Sequence, residues 1–340
     1  MKIRLKSLLL LAAALIALAL GAAVGSTAIP VGELLAVLAG KLFGIPMPEG
    51  ISEVTAGILW SIRIPRAVMA FLVGAALAAS GTVMQSVLRN PLASSYTIGV
   101  SSGASLLAAI IIVSGFSLPL IGRYTLPLFG FLGGLATVFL SMALTLHFDR
   151  NLESQTIILV GMVLSLFVNA LLTLVTALSS DRLSRLVFWQ MGSFSGQTWA
   201  NCGLVLSVLV LGLLVLLHYS REMDLMTFGE EQALSAGVDL RKVKLILIVF
   251  ASLLTGTAVS LVGVIGFVDL VAPHMVRKIF GSNHRLVVPM SALFGGAFMT
   301  LADMVSRTIL SPHDLPVGAV TALIGAPFFA YIYFRRRRGA

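Results

Sequence analysis

The residues of this chain that could do chemistry are few, and each lies among apolar neighbours. Asp269, in GFVDLVAPH, is the most deeply placed acid; Asp303 and Arg307 stand at i and i+4 in LADMVSR; Gln85, Arg89, Asn90 and Pro91 follow one apolar run. An ionisable group at mid-bilayer costs about 2.5–3.5 kcal/mol on insertion scales, so each must face protein or water. Two readings of Asp269 stand: a proton or cation relay, or a carboxylate near the end of a short element, hydrogen-bonded to backbone freed by a break. The second is favoured. Asp303 and Arg307 read as a helix-end pair, and His274, beside Pro273, as a satisfied interior histidine.

Several chemistries are excluded. No Gly-x-x-x-x-Gly-Lys-Ser/Thr run occurs: Gly40-Lys41 is followed by Leu42 and lacks the upstream glycine, so the chain has no P-loop for ATP. The five histidines provide no His/Glu pair at metal-ligand spacing on one helix, and no Ser/His/Asp order suggests a hydrolase. Cys202 stands alone, which excludes an intrachain disulfide and a thiolate metal site. The expectation is therefore no metal, no cofactor and no enzyme activity in the chain itself.

The composition explains why polar residues are scarce. Of 340 residues 58% are hydrophobic and 11% charged, and the mean hydropathy is +1.02, far outside soluble usage. The net charge of +9 is spread between apolar runs rather than gathered on one face, so it reads as a topology signal and not as nucleic-acid affinity. A spanning helix needs about 20 apolar residues, and such runs recur from end to end. The prediction is an all-α polytopic membrane protein with ten spans, at 7–28, 62–88, 98–114, 126–146, 156–178, 202–217, 243–262, 266–278, 286–305 and 317–334.

The first run carries the basic start of a signal peptide, but its length argues for a retained span. A short surface helix is expected near Gly32 to Leu42 and an interfacial one in LVFWQMGSFSGQTW, after the polar break at Asp181, Arg182 and Arg185. The segment 220–244 is the longest polar loop, with a short helix in Gly229 to Ala236 that Gly237 can close. With ten spans and both termini inside, the inner segments hold 16 of the 23 basic residues, including Arg335 to Arg338, in keeping with the positive-inside bias. Gly74, Gly81, Pro91 and Gly99 reappear 182 residues on as Gly256, Gly263, Pro273 and Gly281. Five spans begin between the copies, which predicts an inverted pseudo-repeat with helix breaks at Asn90, Pro91, Gly263, Gly266 and Pro273.

The run RIPR-x7-GAALAASG-x3-Q-x3-RNPLA-x5-GVSSGA, from Arg63, closely resembles the signature of permease subunits of ABC importers for iron siderophores, haem and cobalamin. GFVDLVAPHMVR, LADMVSR and LPVGAVTALIGAPFFAYI resemble that family's later blocks in the same order, so the likeness covers about residues 55 to 335. The resemblance implies ten spans, a homodimer, two cytoplasmic ATP-binding subunits and an extracytoplasmic substrate-binding protein, in the cytoplasmic membrane of a prokaryote. It implies that GEEQALSAG (Gly229, Glu230, Glu231, Gln232, Ala233, Leu234 to Gly237) is the helix that docks in the ATPase. It further implies that Arg63, Arg66 and Arg307 meet acidic residues of the binding protein, that Ser154 and Gln155 form the inner gate, and that spans five and ten line the pathway at the dimer axis. Asp269 departs from the pattern, standing where the family commonly has Gly.

Overall fold

The computed structural model describes residues 2–25, 29–46, 48, 50–178 and 182–338, with side chains described between 3 and 330 of these. The end of the first expected span (26–28) and Asp181 lie outside the described residues, as do the side chains of Arg335 to Arg338. The helices, in chain order, begin with α1 (Lys2–Ala23), α2 (Val31–Phe43), α3 (Glu53–Ile58), α4 (Ile64–Val87), α5 (Val100–Ser114), α6 (Thr125–Phe148) and α7 (Ser154–Ala177). They continue with α8 (Leu183–Gln190), α9 (Trp199–His218), α10 (Ser220–Phe228), α11 (Glu230–Ser235), α12 (Leu240–Val262), α13 (Val268–Phe280), α14 (His284–Thr308) and α15 (Val317–Arg338). The described residues contain no strand. Among the described residues seven helices are long and apolar enough to cross a membrane, so the all-α, multi-pass expectation holds. Helix α13, at 13 residues, rises only about 20 Å against a hydrocarbon core of about 30 Å.

Helix α4 is the hub. It continues α3 through a π-turn, Leu59–Arg63, ahead of Pro65, which has no N–H to give to a regular turn. Of the most apolar window in 53–87, 89% is buried, against 22% for α7 and 28% for α9, so α4 lies inside the bundle and the other two lie on its outside. Helices α14, α12, α13 and α9 pack around it. Lipid supplies no hydrophobic force between helices, so close backbone approach and interhelical hydrogen bonds must hold the bundle. The small residues of α4 permit that approach: a Cβ at Gly74 would strike the Gly295 carbonyl of α14, and one at Gly81 the Asp269 carbonyl of α13.

The two interruptions of the bundle are built differently. After α4 the chain turns through 88–94, with Arg89 at φ +49, and Asn90 Oδ1 accepts the Leu92 N–H at 2.9 Å. Ser94 then caps a 3-10 turn, Ser95–Ile98, that leads through Gly99 at φ +96 into α5. In the second half the non-helical stretch is 263–267, with Gly263 at φ +82 and Phe267 at φ +70. Pro273, expected as a break, lies inside α13, which corrects the residue-by-residue register of the repeat: the 182-residue offset pairs a proline in a turn with one in a helix. The helix tolerates Pro273 because the carbonyl four residues back, that of Asp269, is taken by another donor. Gln85 Nε2 of α4 reaches it at 3.2 Å.

Candidate coupling and gating site

The polar segment between α9 and α12 folds into two short helices separated by a glycine. Gly229 has φ +134, a conformation that L side chains rarely adopt, and separates α10 from α11. Helix α11 ends in a Schellman motif: Val238 N–H donates to the Ala233 carbonyl at 3.0 Å and Gly237 N–H, at φ +85, to Leu234 at 2.9 Å. Asp239 then caps α12 through the Lys242 N–H at 3.1 Å. Ala233 is fully buried and anchors α11, while Glu231, Gln232, Leu234 and Gly237 face outward.

Three groups of residues singled out by the sequence meet at one cleft of about 1230 Å³. Its walls include Asn90 and Pro91 from the first interruption, Ser154 and Gln155 from the start of α7, and Gly229, Glu230, Glu231, Gln232 and Leu234 from the α11 segment. Glu230 joins two of these groups directly. Its Oε1 accepts from Ser154 Oγ at 3.0 Å, and its Oε2 pairs with the fully buried Lys244 of α12 at 2.9 Å. The turn ahead of α7 is held by Asp149, whose carboxylate accepts the Asn151 N–H at 2.9 Å and the Glu153 N–H at 2.6 Å. Burial pushes this carboxyl up, but those two N–H groups together with the Thr156 hydroxyl and the Lys244 charge outweigh it and hold it below the ordinary carboxylate value.

Gly263, Gly266 and Pro273 are not part of that cleft. Gly263 packs against Trp189 and Gly192 at the end of α8, while Pro273 stands in α13, which shares with α4 a polar seam that sequence reasoning did not foresee. Arg277 donates to Gln85 Oε1 and to the Thr82 carbonyl, the latter at 3.2 Å, and Ser94 Oγ donates to the Asp269 carboxylate. Asp269 is 4% exposed; its carboxylate takes backbone N–H groups at the start of α13, its own and that of Leu270, while the carbonyl stranded by Pro273 goes to Gln85. Next to this seam, His284 Nε2 lies 2.5 Å from Ser86 Oγ, and its Nδ1 lies 2.6 Å from Asp224 Oδ1 of α10. That order of groups looks like a hydrolase triad, but at 5% and 1% exposure Ser86 and His284 offer a substrate no access. The arrangement fastens α10 to α4 and α14. Asp224 sits in the charged run from Arg221 to Asp224, which gave no sequence signal of this pairing.

At the opposite end, Arg66 grips Asp303 with two prongs, Nε at 3.0 Å and Nη2 at 2.8 Å, and pairs with Asp314 at 2.7 Å. Asp303 and Arg307 are 3.5 Å apart, so the expected helix-end pair is a secondary contact; Asp303 belongs first to Arg66, across to α4. Arg63 and Arg307 are each 7% exposed and donate to backbone carbonyls of the α1 segment, Ala23 and Gly21. Cys202 is buried, with its thiol against the Pro65 carbonyl.

With this geometry in view, comparison with known proteins places the chain. The chain is 42% identical over 328 residues to the uncharacterized ABC transporter permease protein YvrB of Bacillus subtilis, covering 95% of this chain and 92% of that protein. It is 38% identical to the cobalamin import system permease protein BtuC of Halobacterium salinarum, covering 85% and 77% of the two chains. A solved metal-chelate type ABC transporter in an inward-facing conformation superposes with a TM-score of 0.76 at 32% identity, covering 89% of this chain and 98% of that one. The family model matches residues 10–335, and the chain belongs to the FecCD transport family.

Proposed function

We propose that this chain is the permease subunit of an ABC importer that passes a metal chelate (an iron siderophore, haem or cobalamin) through the cytoplasmic membrane, with ATP hydrolysed on a separate subunit. The observation that carries the reading is the convergence of α11, Ser154 and Gln155, and Asn90 and Pro91 on one inner cleft, with Glu230 bonded to Ser154. In this reading the exposed residues of α11 enter the ATPase, and the start of α7 is the inner gate. The chain crosses the membrane ten times: the shorter helices α5, α13 and α15 join the seven long ones, and both termini lie inside. The interruptions at 88–99 and 263–267, one in each half, support an inverted arrangement of the halves.

The working unit is a homodimer in contact with lipid. Its axis is lined by α7 and α15, whose large apolar side chains, Leu166, Phe167 and Leu323 among them, are exposed in the single chain. At the outer end, Arg66 is the docking arginine best placed to meet an acidic binding protein. It shares its charge with Asp314, which remains 37% exposed, whereas Arg63 and Arg307 must first leave the carbonyls of α1. Replacing Arg66 by Gln is expected to weaken binding-protein docking and flatten its salt dependence, measured by equilibrium binding across ionic strength.

The test of the whole reading is uptake of cyanocobalamin and haemin by vesicles holding this chain with its ATPase and binding protein. Uptake that requires ATP and resists a protonophore is expected. Uptake without any ATPase, abolished by a protonophore, would overturn the reading in favour of a proton-coupled carrier working through Asp269.

A further inference from the structure

Lys244 sits at the inner end of α12 with 0% of its side chain exposed. Taking an ammonium out of water costs several kcal/mol, and an apolar residue of similar volume often stabilises such a position as well or better. Its two partners lie on different segments: Glu230 Oε2, on the first residue of α11, at 2.9 Å, and the Leu152 carbonyl, in the turn before α7, at 2.6 Å. Leu152 is a fully buried non-glycine residue at φ +55. That conformation costs roughly 1–2 kcal/mol and persists where the surroundings hold it. Here the core grips the Leu152 side chain and Lys244 grips its carbonyl.

Ser154 closes the triangle. Its Oγ stands 3.0 Å from Glu230 Oε1 and 3.0 Å from the Val87 carbonyl at the end of α4. A hydroxyl has one proton, so it serves one acceptor at a time. Glu230 thus reaches two helices, Oε2 pairing with Lys244 of α12 and Oε1 sharing the Ser154 hydroxyl of α7 with the Val87 carbonyl, while the rest of α11 meets the protein mainly through Ala233.

We infer that Lys244, Glu230 and Ser154 form a positioning unit that ties the short helix α11 to the entrance of α7, so that a displacement of α11 reaches α7 as one rigid movement. The inference rests on the permease reading above, in which α11 receives the ATPase and Ser154 and Gln155 form the inner gate. Lys244 is a positioning residue: buried beneath α11, it faces neither the ATPase nor the cargo. A lysine serving only to pack α12 would be replaceable by methionine without consequence at the gate.

The experiment uses the full chain assembled with its ATPase, in a Cys202→Ala background carrying a spin label at Gln155→Cys, with ATP and vanadate as the probe. In the parent the label's spectrum is expected to change on trapping. In Lys244→Met the ATPase is expected to co-purify and hydrolyse ATP while the spectral change is lost. Lys244→Gln, which keeps a neutral hydrogen bond within reach of the Leu152 carbonyl, carries the same measurement if Lys244→Met does not assemble. A label that responds in these variants as in the parent overturns the inference, and so does loss of ATPase co-purification in both, which would assign the cluster to docking. A parent that binds no ATPase, or whose label ignores ATP, instead removes the permease reading on which the inference stands.

Discussion

The bundle holds buried charge at two ends, and the two clusters are built on different scaffolds. At the arginine end, Asp303 is 1% exposed and accepts the two-pronged grip of Arg66, with Arg307 beside it. Its members stand on α4 and α14, and spare guanidinium donors reach carbonyls of the α1 segment. At the α11 end, one lysine and one glutamate balance each other, and the spare donor goes to the strained turn at Leu152. The first cluster joins long helices whose packing already fixes their distance. The second joins one long helix to a six-residue helix and a turn, held in the core through Ala233 and Leu152. The same pairing of buried charges therefore acts as a fastener in one place and, in our reading, as a transmission in the other.

The sharpest way to break this comparison is to remove the shared acid. Asp303→Leu leaves Arg66 and Arg307 buried without their carboxylate, and breaking a buried pair from one side costs about 3–5 kcal/mol. It should appear as a large drop in thermal stability in detergent; an unchanged melting temperature would show that α1, α4 and α14 do not depend on the cluster. Next comes the seam between the two ends. Gln85→Leu strips the Asp269 carbonyl and one Arg277 donor of their partner, at about 1–3 kcal/mol for buried groups left unsatisfied. Glu230→Gln keeps a hydrogen-bond acceptor for Lys244 and stands where 22% of the side chain meets solvent, so it is expected to cost less than Asp303→Leu; its main effect should fall on gating. Equal losses at Asp303 and Glu230 would erase the distinction between fastener and transmission.

The smallest effect concerns pH. The folded-state carboxyl of Asp149 lies below its ordinary value of 3.8, so its contribution to stability is present above that value and fades as pH falls through the lower folded one. Asp149→Asn should remove that contribution where it is present, lowering the melting temperature slightly near neutral pH, with the difference from the parent closing as pH falls through the lower folded value. Thermal unfolding in detergent from pH 6 down to about 3 checks it.

Much of this was readable from residue order. The long apolar runs, the helical patch at Gly229 to Gly237 and the closing role of Gly237 all follow from local rules of hydropathy and capping, which need no tertiary partner. What escaped were contacts between residues far apart in the chain. Lys244 looked like one more inner cation in a basic run, yet it is among the most buried side chains described. His284 and Asp224 gave no recognisable spacing, being 60 residues apart and joined only by the fold. Pro273 misled for the same reason: a proline reads as a helix break unless a donor such as Gln85, 184 residues from Asp269, relieves the carbonyl it strands.

The sequence by itself determined that this is a helical, multi-pass membrane chain without an ATP-binding loop, because hydropathy and motif spacing are local and the bilayer enforces helices wherever a long apolar run crosses it. The tertiary structure alone decided which charges are buried and with whom they pair. Arg66 turns to Asp303, Glu230 to Lys244 and Gln85 to the carbonyl stranded by Pro273. The physical reason is that a buried polar group must find a partner, and which partner lies within about 3 Å depends on how the helices pack.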